Sequence, residues 1–504
     1  MAFSEANYYR EFKRVRNRFR RHAPVDLVLR AIRYANGGEN KLENCRRAPW
    51  LMMLMIKWVL TDENFGHCGR PNATNQQTDT LFQEAYELSR WTRMPNEYEN
   101  LHLFMRSVAH QQFMFQKDFS YADFARQFVL FADLDDGHRL SRAFSDAYGL
   151  EIEQFLTLSL GLVGKYLRGN FEPVRQHWFS TLAIPDAARI VPVFFSALSA
   201  TPEQMREFLL ENGTRQRAAD EYVEQTPLTA KPFLQVGEEY WPVHVAVLFR
   251  ALEHYVYDQL RAIDPEWFMQ SFGKIFERYV HEVLAPIHAR IYIEDELKRL
   301  RTTPGKVVDF LADEEGANIF IDAKGVAGTH EAMVTHASRT LRNRTKAAAL
   351  KAVVQANELL GAMVAGEMAE GGPPLKDRNI LLVVTYKDLH LGNGTTFEKA
   401  VAPADIAEIY QGRSAASSIP LDNIYFMAID SFEALCGAVM YGELTFSDAI
   451  AQAQAADSDA ATKKFDFRQH LQEMQVAQRI PAVVRDRVEE AMNSLAEGLG
   501  ADVS

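Results

Sequence analysis

The pattern of hydrophobic residues changes near residue 228, and this change limits the fold more than any other feature of the sequence. Before it, apolar residues recur at helical spacing over long segments such as 101–115 and 152–167. After residue 268, apolar runs of strand length alternate with helical segments. The sequence therefore predicts an α+β multidomain protein, in which an α-helical N-terminal domain is followed by an α/β domain with a central mixed sheet.

The predicted order in the second part is a helix, three short strands, a second helix and further strands. The two helices are predicted over 268–285 and 345–363, and this order is typical of a sheet covered by helices. The strands are predicted at residues 291–293, 307–311, 319–323, 380–385 and 424–429. We expect a helical domain over 1–227, a connector over 228–267, the α/β domain over 268–435 and a helical C-terminal segment over 436–504.

The number of cysteines and the lengths of the apolar stretches indicate the cellular compartment in which the protein is expected. The 504 residues include only three cysteines, far apart in the sequence, so a disulfide framework and a four-thiolate zinc site are both excluded. The most apolar stretch, residues 50–60, contains Lys57 and is too short to cross a bilayer. The basic N-terminus has no apolar signal core after it. We therefore expect a cytoplasmic protein without a membrane partner.

Charged residues interrupt two consecutive predicted strands of the α/β domain. Asp309 lies inside the predicted strand 307–311, and Asp322 and Lys324 end the next one. Because side chains alternate along a strand, Asp322 and Lys324 share one face of the sheet. The acidic, glycine-containing segment 313–316 predicts a hairpin turn that brings Asp309 beside them. A buried carboxylate is costly unless a cation or hydrogen bonds compensate it, so the aspartates are expected to share such a partner.

Two carboxylates and an ammonium group suit the hydrolysis of a phosphodiester. Hard carboxylate oxygens hold Mg²⁺, for which Mn²⁺ is a common substitute, and the ion stabilises charge that develops on the phosphorus centre. The adjacent ammonium group can orient or help to deprotonate the attacking water. A structural alternative remains open, in which Asp309 forms an ion pair with Lys306 or Lys324.

These residues resemble the motif of the PD-(D/E)XK nuclease superfamily, whose fold is that of restriction endonucleases. The motif has an acidic residue on a preceding helix, an aspartate in the second strand, and an acidic-x-Lys triplet at the end of the third. The matching residues, with a glutamine found in some branches, are Glu277, Asp309, Asp322, Lys324 and Gln355. The resemblance covers approximately residues 268–430.

The resemblance implies a catalytic set formed by those five residues. It implies that Asp309 and Asp322 bind Mg²⁺, that Glu277 is an additional or water-mediated ligand, and that Lys324 activates water. The chain departs from the family pattern at two positions, since Val308 replaces a proline and Asp322 replaces the commoner glutamate. Glu277 as a surface residue and Gln355 as an ordinary polar helix residue are the alternatives at those two positions.

The formal net charge of −12 argues against a nucleic-acid partner for the chain as a whole. Two segments are nevertheless basic. One lies on an N-terminal amphipathic helix, within 10–21, where a solvated face is the alternative to a DNA contact. The other contains no acidic residue between its ends and follows the acidic-x-Lys triplet, where it is expected to contact DNA phosphates. Its basic residues are Arg339, Arg342, Arg344, Lys346 and Lys351.

The sequence thus predicts a magnesium-dependent endonuclease that acts on DNA, expected to be double-stranded. The layout resembles that of bacterial anti-phage defence nucleases, in which a helical domain senses a trigger or binds a partner subunit, and the superfamily often forms homodimers. One alternative is a catalytically inactive DNA-binding or assembly subunit of a defence or restriction complex. A second is a purely structural interaction protein, since the helical half carries no recognisable chemistry.

Overall fold

The computed structural model describes residues 4–498 except 136, 168–170, 182–185, 214–218 and 478. The chain divides into two compact units, one formed by Met1–Ile263 with Asp486–Ser504 and the other by Asp264–Arg485. The predicted connector, 228–267, therefore falls mainly within the first unit. The fold is α+β, with a largely helical N-terminal unit and mixed sheets.

Helices form most of the first unit because its apolar residues recur at helical spacing. In the first helix, the apolar residues that recur at this spacing are buried, and they are Tyr8, Phe12, Val15 and Phe19. The helices are α1 Glu5–Phe19, α2 Pro24–Ala35, α3 Lys41–Arg46, α4 Pro49–Thr61, α5 Asn75–Glu87, α6 Leu101–Gln116, α7 Tyr121–Gln127, α8 Arg139–Tyr148, α9 Ile152–Leu167, α10 Ala187–Leu198, α11 Pro202–Asn212 and α12 Val245–Ile263.

A small sheet completes the first unit. Its strands are β1 Ser199–Ala200, β2 Phe233–Val236 and β3 Glu239–Pro242. β1 pairs in parallel with β2, and β2 pairs antiparallel with β3. The last two strands flank Gly237, whose positive φ allows the tight turn between them.

Helix α4 contains the apolar stretch 50–60 and is buried almost throughout. The ammonium group of Lys57 lies 2.5 Å from a carboxylate oxygen of Glu224, which compensates its burial. By length and composition, no single helix among the described residues could span a membrane, although the bent pair Ser338–Thr345 and Ala349–Val364 passes the same test when taken together.

The second unit is built around a five-stranded mixed sheet. Its strands are β4 Arg290–Ile293, β5 Phe310–Glu314, β6 Ala317–Lys324, β7 Arg378–Thr385 and β8 Ile424–Ala428. They are hydrogen-bonded in the order β4-β5-β6-β7-β8, antiparallel from β4 to β6 and parallel from β6 to β8. The central strands read as nearly continuous apolar runs because both of their faces are buried.

Helices precede, separate and follow these strands. Helix α13 contacts β6, α17 contacts β7, and α20 contacts both β7 and β8. The helices are α13 Pro265–Leu284, α14 Glu294–Leu300, α15 His330–Val334, α16 Ser338–Thr345, α17 Ala349–Val364, α18 Gly394–Ala400, α19 Pro403–Tyr410, α20 Ile429–Met440, α21 Phe446–Asp457 and α22 Phe467–Glu473. A further helix, α23 Ala482–Gly498, belongs to the first unit from Asp486 onward.

The prediction for the second strand of this sheet was wrong in its bounds. Residues 307–309 precede the strand, which begins at Phe310 and continues to Glu314. The carboxylate of Glu314, expected in the turn, instead accepts hydrogen bonds from the backbone N–H groups of Phe446 and Ser447 at 2.8 and 2.9 Å. These partners stabilise an acidic residue at the strand end, and the hairpin is closed by the shorter turn at Glu315-Gly316.

Candidate active site

The two predicted aspartates lie opposite each other at one edge of the β5–β6 pair. Phe310 pairs with Ile321, so the residue before Phe310 is opposite the residue after Ile321. The backbone N–H of Ala323 donates to Oδ2 of Asp309 at 2.7 Å. Asp309 is therefore fixed beside β6 although it lies just outside its own strand.

Asp322 and Lys324 end β6 and contact each other, as their spacing predicts. Asp322 is 0% exposed, and the Lys324 ammonium contacts its Oδ1. Its Oδ2 receives no hydrogen bond from the residues that the structure describes. Burial raises the pKa of Asp322 to about 7, and the negative charge of Asp309 acts in the same direction.

Asp309 experiences the same environment. It is buried, and loss of solvent raises its pKa, while the Lys324 charge and the Ala323 N–H offset part of that rise. A pair of buried carboxylates with raised pKa values is unfavourable for stability and typical of functional sites. Of the two structural ion pairs that the sequence offers Asp309, the one with Lys306 is not found, since Lys306 is paired with Glu358 at 3.7 Å, whereas the charge of Lys324 does act on Asp309.

Glu277 faces the same cluster from helix α13. Burial raises its pKa, and the charge of Asp309 raises it further, while Lys324 opposes the rise. Glu277, Asp309 and Asp322 do not form a compact three-donor group, because one carboxylate oxygen from each does not lie within 4.8 Å of the other two in the described structure. This geometry favours a contact through water over direct ligation.

Gln355 reaches the cluster from helix α17. Its Nε2 donates to the carbonyl oxygen of Val307 at 2.6 Å, two residues before Asp309. The Gln355 side chain is buried, and its Oε1 has no hydrogen-bond partner among the described residues. Gln355 therefore holds the backbone segment that carries Asp309.

Sequence reasoning missed Glu294, the first residue of α14. The pairing of Ile293 with Phe310 places Glu294 beside Asp309, and its charge raises the pKa of both Asp309 and Glu277. Its carboxylate also forms an ion pair with Lys298 at 2.9 Å. The signal that could have found it was an acidic residue directly after a predicted strand.

Two of the five basic residues in the segment 339–351 form ion pairs within the protein. Arg342 binds the carboxylate of Asp405, and Arg344 binds that of Glu331. The other three basic residues, Arg339, Lys346 and Lys351, are exposed. The charge of Lys351 lowers the pKa of Asp322, which places this ammonium group within electrostatic reach of the cluster. Fewer residues of this basic segment are therefore available to contact DNA phosphates than the sequence predicts.

No family model, curated protein or solved structure matches the chain. The function proposed below consequently depends on the residues themselves. The carboxylate cluster fits a divalent cation, because it presents hard oxygen donors and a fully buried oxygen of Asp322 that lacks a hydrogen bond. Asp309 and Asp322 would hold such an ion directly, and Glu277 would contact it through water.

Proposed function

We propose that the chain is a metal-dependent endonuclease that hydrolyses DNA phosphodiester bonds. The observation that carries the proposal is the fully buried Asp322, paired with Lys324 and opposite Asp309 at the end of two adjacent strands. The order of helix, three antiparallel strands, helix and parallel strand agrees with the resemblance to PD-(D/E)XK nucleases. Structural ion pairs are seldom built from two facing buried carboxylates, since one ammonium group cannot compensate both.

The bound metal, Mg²⁺ with Mn²⁺ as a substitute, supplies charge stabilisation at the phosphate and a more acidic water. Asp309 and Asp322 provide the oxygen ligands, and they must be deprotonated to do so. The hydrogen bond from the Ala323 N–H keeps Asp309 Oδ2 in place. Gln355 limits movement of the segment before Asp309.

Lys324 has the role of activating the attacking water, because its ammonium group orients the water and stabilises the hydroxide that remains when the water loses its proton to solvent. Its side chain is 14% exposed, so the ammonium group lies at the boundary between the buried carboxylates and solvent. There it can contact both Asp322 and a water molecule that approaches a phosphate. A lysine beside developing negative charge also stabilises the pentacovalent phosphorus centre.

We further propose that duplex DNA is the substrate and that the exposed Lys346, Lys351 and Arg339 contact its phosphates. A homodimer would present two such sites to two strands. The helical unit would bind a partner subunit or sense a trigger, as expected for a cytoplasmic anti-phage defence effector. These biological assignments rest on the resemblance, whereas the hydrolytic step rests on the residues.

The experiment is cleavage of plasmid DNA by the purified full chain with Mg²⁺ and with a chelator. We expect nicking or linearisation that requires the metal. Asp309→Ala, Asp322→Ala and Lys324→Ala should each abolish it, and cleavage that persists in all three variants would refute the proposal. Metal-independent DNA binding without cleavage would instead favour an inactive DNA-binding or assembly subunit.

A further inference from the structure

A cleft in the first unit shares no residue with the carboxylate cluster of the proposed nuclease. It is lined by residues of helices α10 and α11 and of the small sheet, and its volume is about 490 Å³. Ligand sites in proteins commonly have volumes of about 300–1,000 Å³. We propose that this cleft binds a small organic molecule through a phosphate monoester group, with Lys231 as the main contact of the phosphate.

Lys231 is a half-buried cation whose described partners are backbone groups. Its ammonium group donates to the carbonyl oxygens of Ser196 and Ala197 at 2.9 and 2.8 Å, at the C-terminal end of α10. No carboxylate is among these partners, and burial lowers the pKa of Lys231. An ammonium group has three N–H donors, so one remains for a further acceptor. A cation withdrawn from water is costly without an anion, and a bound phosphate would supply the missing charge.

Tyr240 adds a second donor, and its position is fixed. The side chain is 4% exposed, and its ring stacks on that of Phe195 with centroids 4.1 Å apart. Nε2 of Gln176 donates to the phenolic oxygen at 2.7 Å, so the phenolic proton is available to another acceptor. The adjacent carboxylate of Glu239 is paired with Arg175 at 2.9 Å. Tyr240 can therefore donate to a ligand oxygen in the cleft that it lines.

Two exposed side chains extend the polar wall of the cleft. Oε1 of Gln204 accepts from the N–H of Thr201 at 3.0 Å in the capping box of α11, which leaves Nε2 as a donor. Ser196 contributes a hydroxyl group. The described residues that line the cleft include no acidic side chain, although the chain has a formal net charge of −12. Four donors, one of them an ammonium group, suit the oxygens of a phosphate better than the two of a carboxylate.

The cleft is larger than a phosphate ion alone requires. Pro192 and Phe208 supply apolar surface on its wall. Nε2 of Gln235 donates to the carbonyl oxygen of Gly237 at 3.3 Å, so its Oε1 can accept a hydrogen bond from a ligand. The expected ligand thus joins a phosphate to a body that has an apolar face and at least one hydrogen-bond donor. A nucleoside monophosphate has these properties.

A purely structural role for Lys231 would be limited to the end of α10. Carbonyl oxygens at the C-terminus of a helix attract a cation, and the two bonds of Lys231 agree with that role. It does not account for the available donors of Tyr240 and Gln204 on the same cleft. The two interpretations differ in one measurable respect, since only the ligand site predicts saturable binding of a phosphate monoester.

The test uses AMP as the probe and the full chain carrying Asp322→Asn, in the presence of EDTA. Neither a metal nor the complete carboxylate cluster then contributes to binding. Titration calorimetry should show one saturable site for AMP, and inorganic phosphate should compete for it. Adenosine, which lacks the phosphate, should bind at least about 10-fold more weakly, as expected when hydrogen bonds to a charged group are lost.

Two substitutions in the same background test the contacts. Lys231→Met should weaken AMP binding by about 10–100-fold, and Tyr240→Phe should weaken it by about 2–10-fold, which correspond to loss of a charged and of a neutral hydrogen bond. Lys41→Met is the matched control, because this exposed lysine is already paired with Asp118 at 2.9 Å. It should bind AMP as the parent chain does.

Three results would overturn the proposal. The first is the absence of a saturable site for both AMP and inorganic phosphate, and the second is binding of adenosine as tight as that of AMP. The third is unchanged AMP affinity in Lys231→Met and Tyr240→Phe while circular dichroism shows that both are folded. If Lys231→Met does not fold, Tyr240→Phe decides the third result. Because the background lacks metal and the Asp322 carboxylate, the outcome is independent of the proposed nuclease activity.

Discussion

The N–H of Ala323 donates to Oδ2 of Asp309 at 2.7 Å, and this bond joins the residue between Asp322 and Lys324 to the carboxylate on the neighbouring segment. The N–H of Ala323 thus fixes the position of Asp309 relative to Asp322 and Lys324. The bond also accounts for the position of Asp309, which lies before its strand and yet remains opposite Asp322. The predictions below follow from this arrangement and from the burial of the two carboxylates.

The pH dependence of DNA cleavage should change with the Mg²⁺ concentration. The pKa of Asp322 is raised to about 7, so below that value the carboxyl group is protonated and cannot bind a metal. At limiting Mg²⁺ the cleavage rate should fall as the pH is lowered through about 7. Saturating Mg²⁺ competes with the proton and should move the midpoint to lower pH. Single-turnover rates measure both profiles, and a midpoint that is independent of Mg²⁺ would contradict the assignment.

Neutralising Asp322 should stabilise the metal-free protein above about pH 7. Its ordinary pKa is 3.8 and its folded value is about 7, so its contribution to stability is fully present below 3.8 and is lost as the pH rises through 7. We expect Asp322→Asn to raise the free energy of unfolding there by roughly 1–3 kcal/mol. Chemical denaturation of the metal-free protein measures this change in the free energy of unfolding. Asp313→Asn, which removes a 3.1 Å ion pair with Lys376, should give no such gain.

Gln355→Leu should reduce both stability and cleavage. The substitution leaves the carbonyl oxygen of Val307 without its donor, which costs about 1–3 kcal/mol, and it loosens the segment before Asp309. The kcat should fall more than the KM changes. Asn357→Leu on the same helix is the matched control, because its side chain bonds Val353 and Ile419 rather than this segment. Equal loss of kcat in both variants would indicate a general folding effect.

Lys351→Ala should weaken DNA binding and should make that binding less dependent on salt concentration. The ammonium group is exposed and within electrostatic reach of Asp322, so its removal should lower the slope of log affinity against log salt by about 1. Arg342→Ala is the control, since this guanidinium is bound to Asp405 and should leave the slope unchanged. Fluorescence anisotropy with a catalytically inactive background measures both slopes. Similar slopes for the two variants would remove Lys351 from the interface.

Hydrophobic periodicity predicted the elements of the second unit well. The strand predicted at 319–323 is observed as Ala317–Lys324, and the one predicted at 380–385 is observed as Arg378–Thr385. Both are buried on two faces, so their apolar runs are unambiguous. In the first unit, Thr201 and Gln204 form a capping box at the start of helix α11.

Prediction from the sequence failed for residues whose positions and partners depend on tertiary contacts and not on the local pattern. Asp309 was assigned to a strand because valines precede it, but the ladder with β4 begins only at Phe310. Glu294 was overlooked because only the register of β4 against β5 brings it to Asp309. The ion pairs of Arg342 and Arg344 have acidic partners that lie outside the basic run, so the run alone could not reveal them.

The most direct test of the central claim is the single-turnover cleavage of duplex DNA by Lys324→Met compared with Lys13→Met. Both lysines end an acidic-x-Lys triplet, but Lys13 lies on helix α1, where its ammonium group is stacked over Tyr9. If the cluster at the end of β6 performs hydrolysis, Lys324→Met loses at least about 100-fold in rate, as is typical when a group that stabilises developing negative charge is removed, and Lys13→Met cleaves as wild type does. Equal Mg²⁺-dependent cleavage by Lys324→Met and wild type would contradict the account.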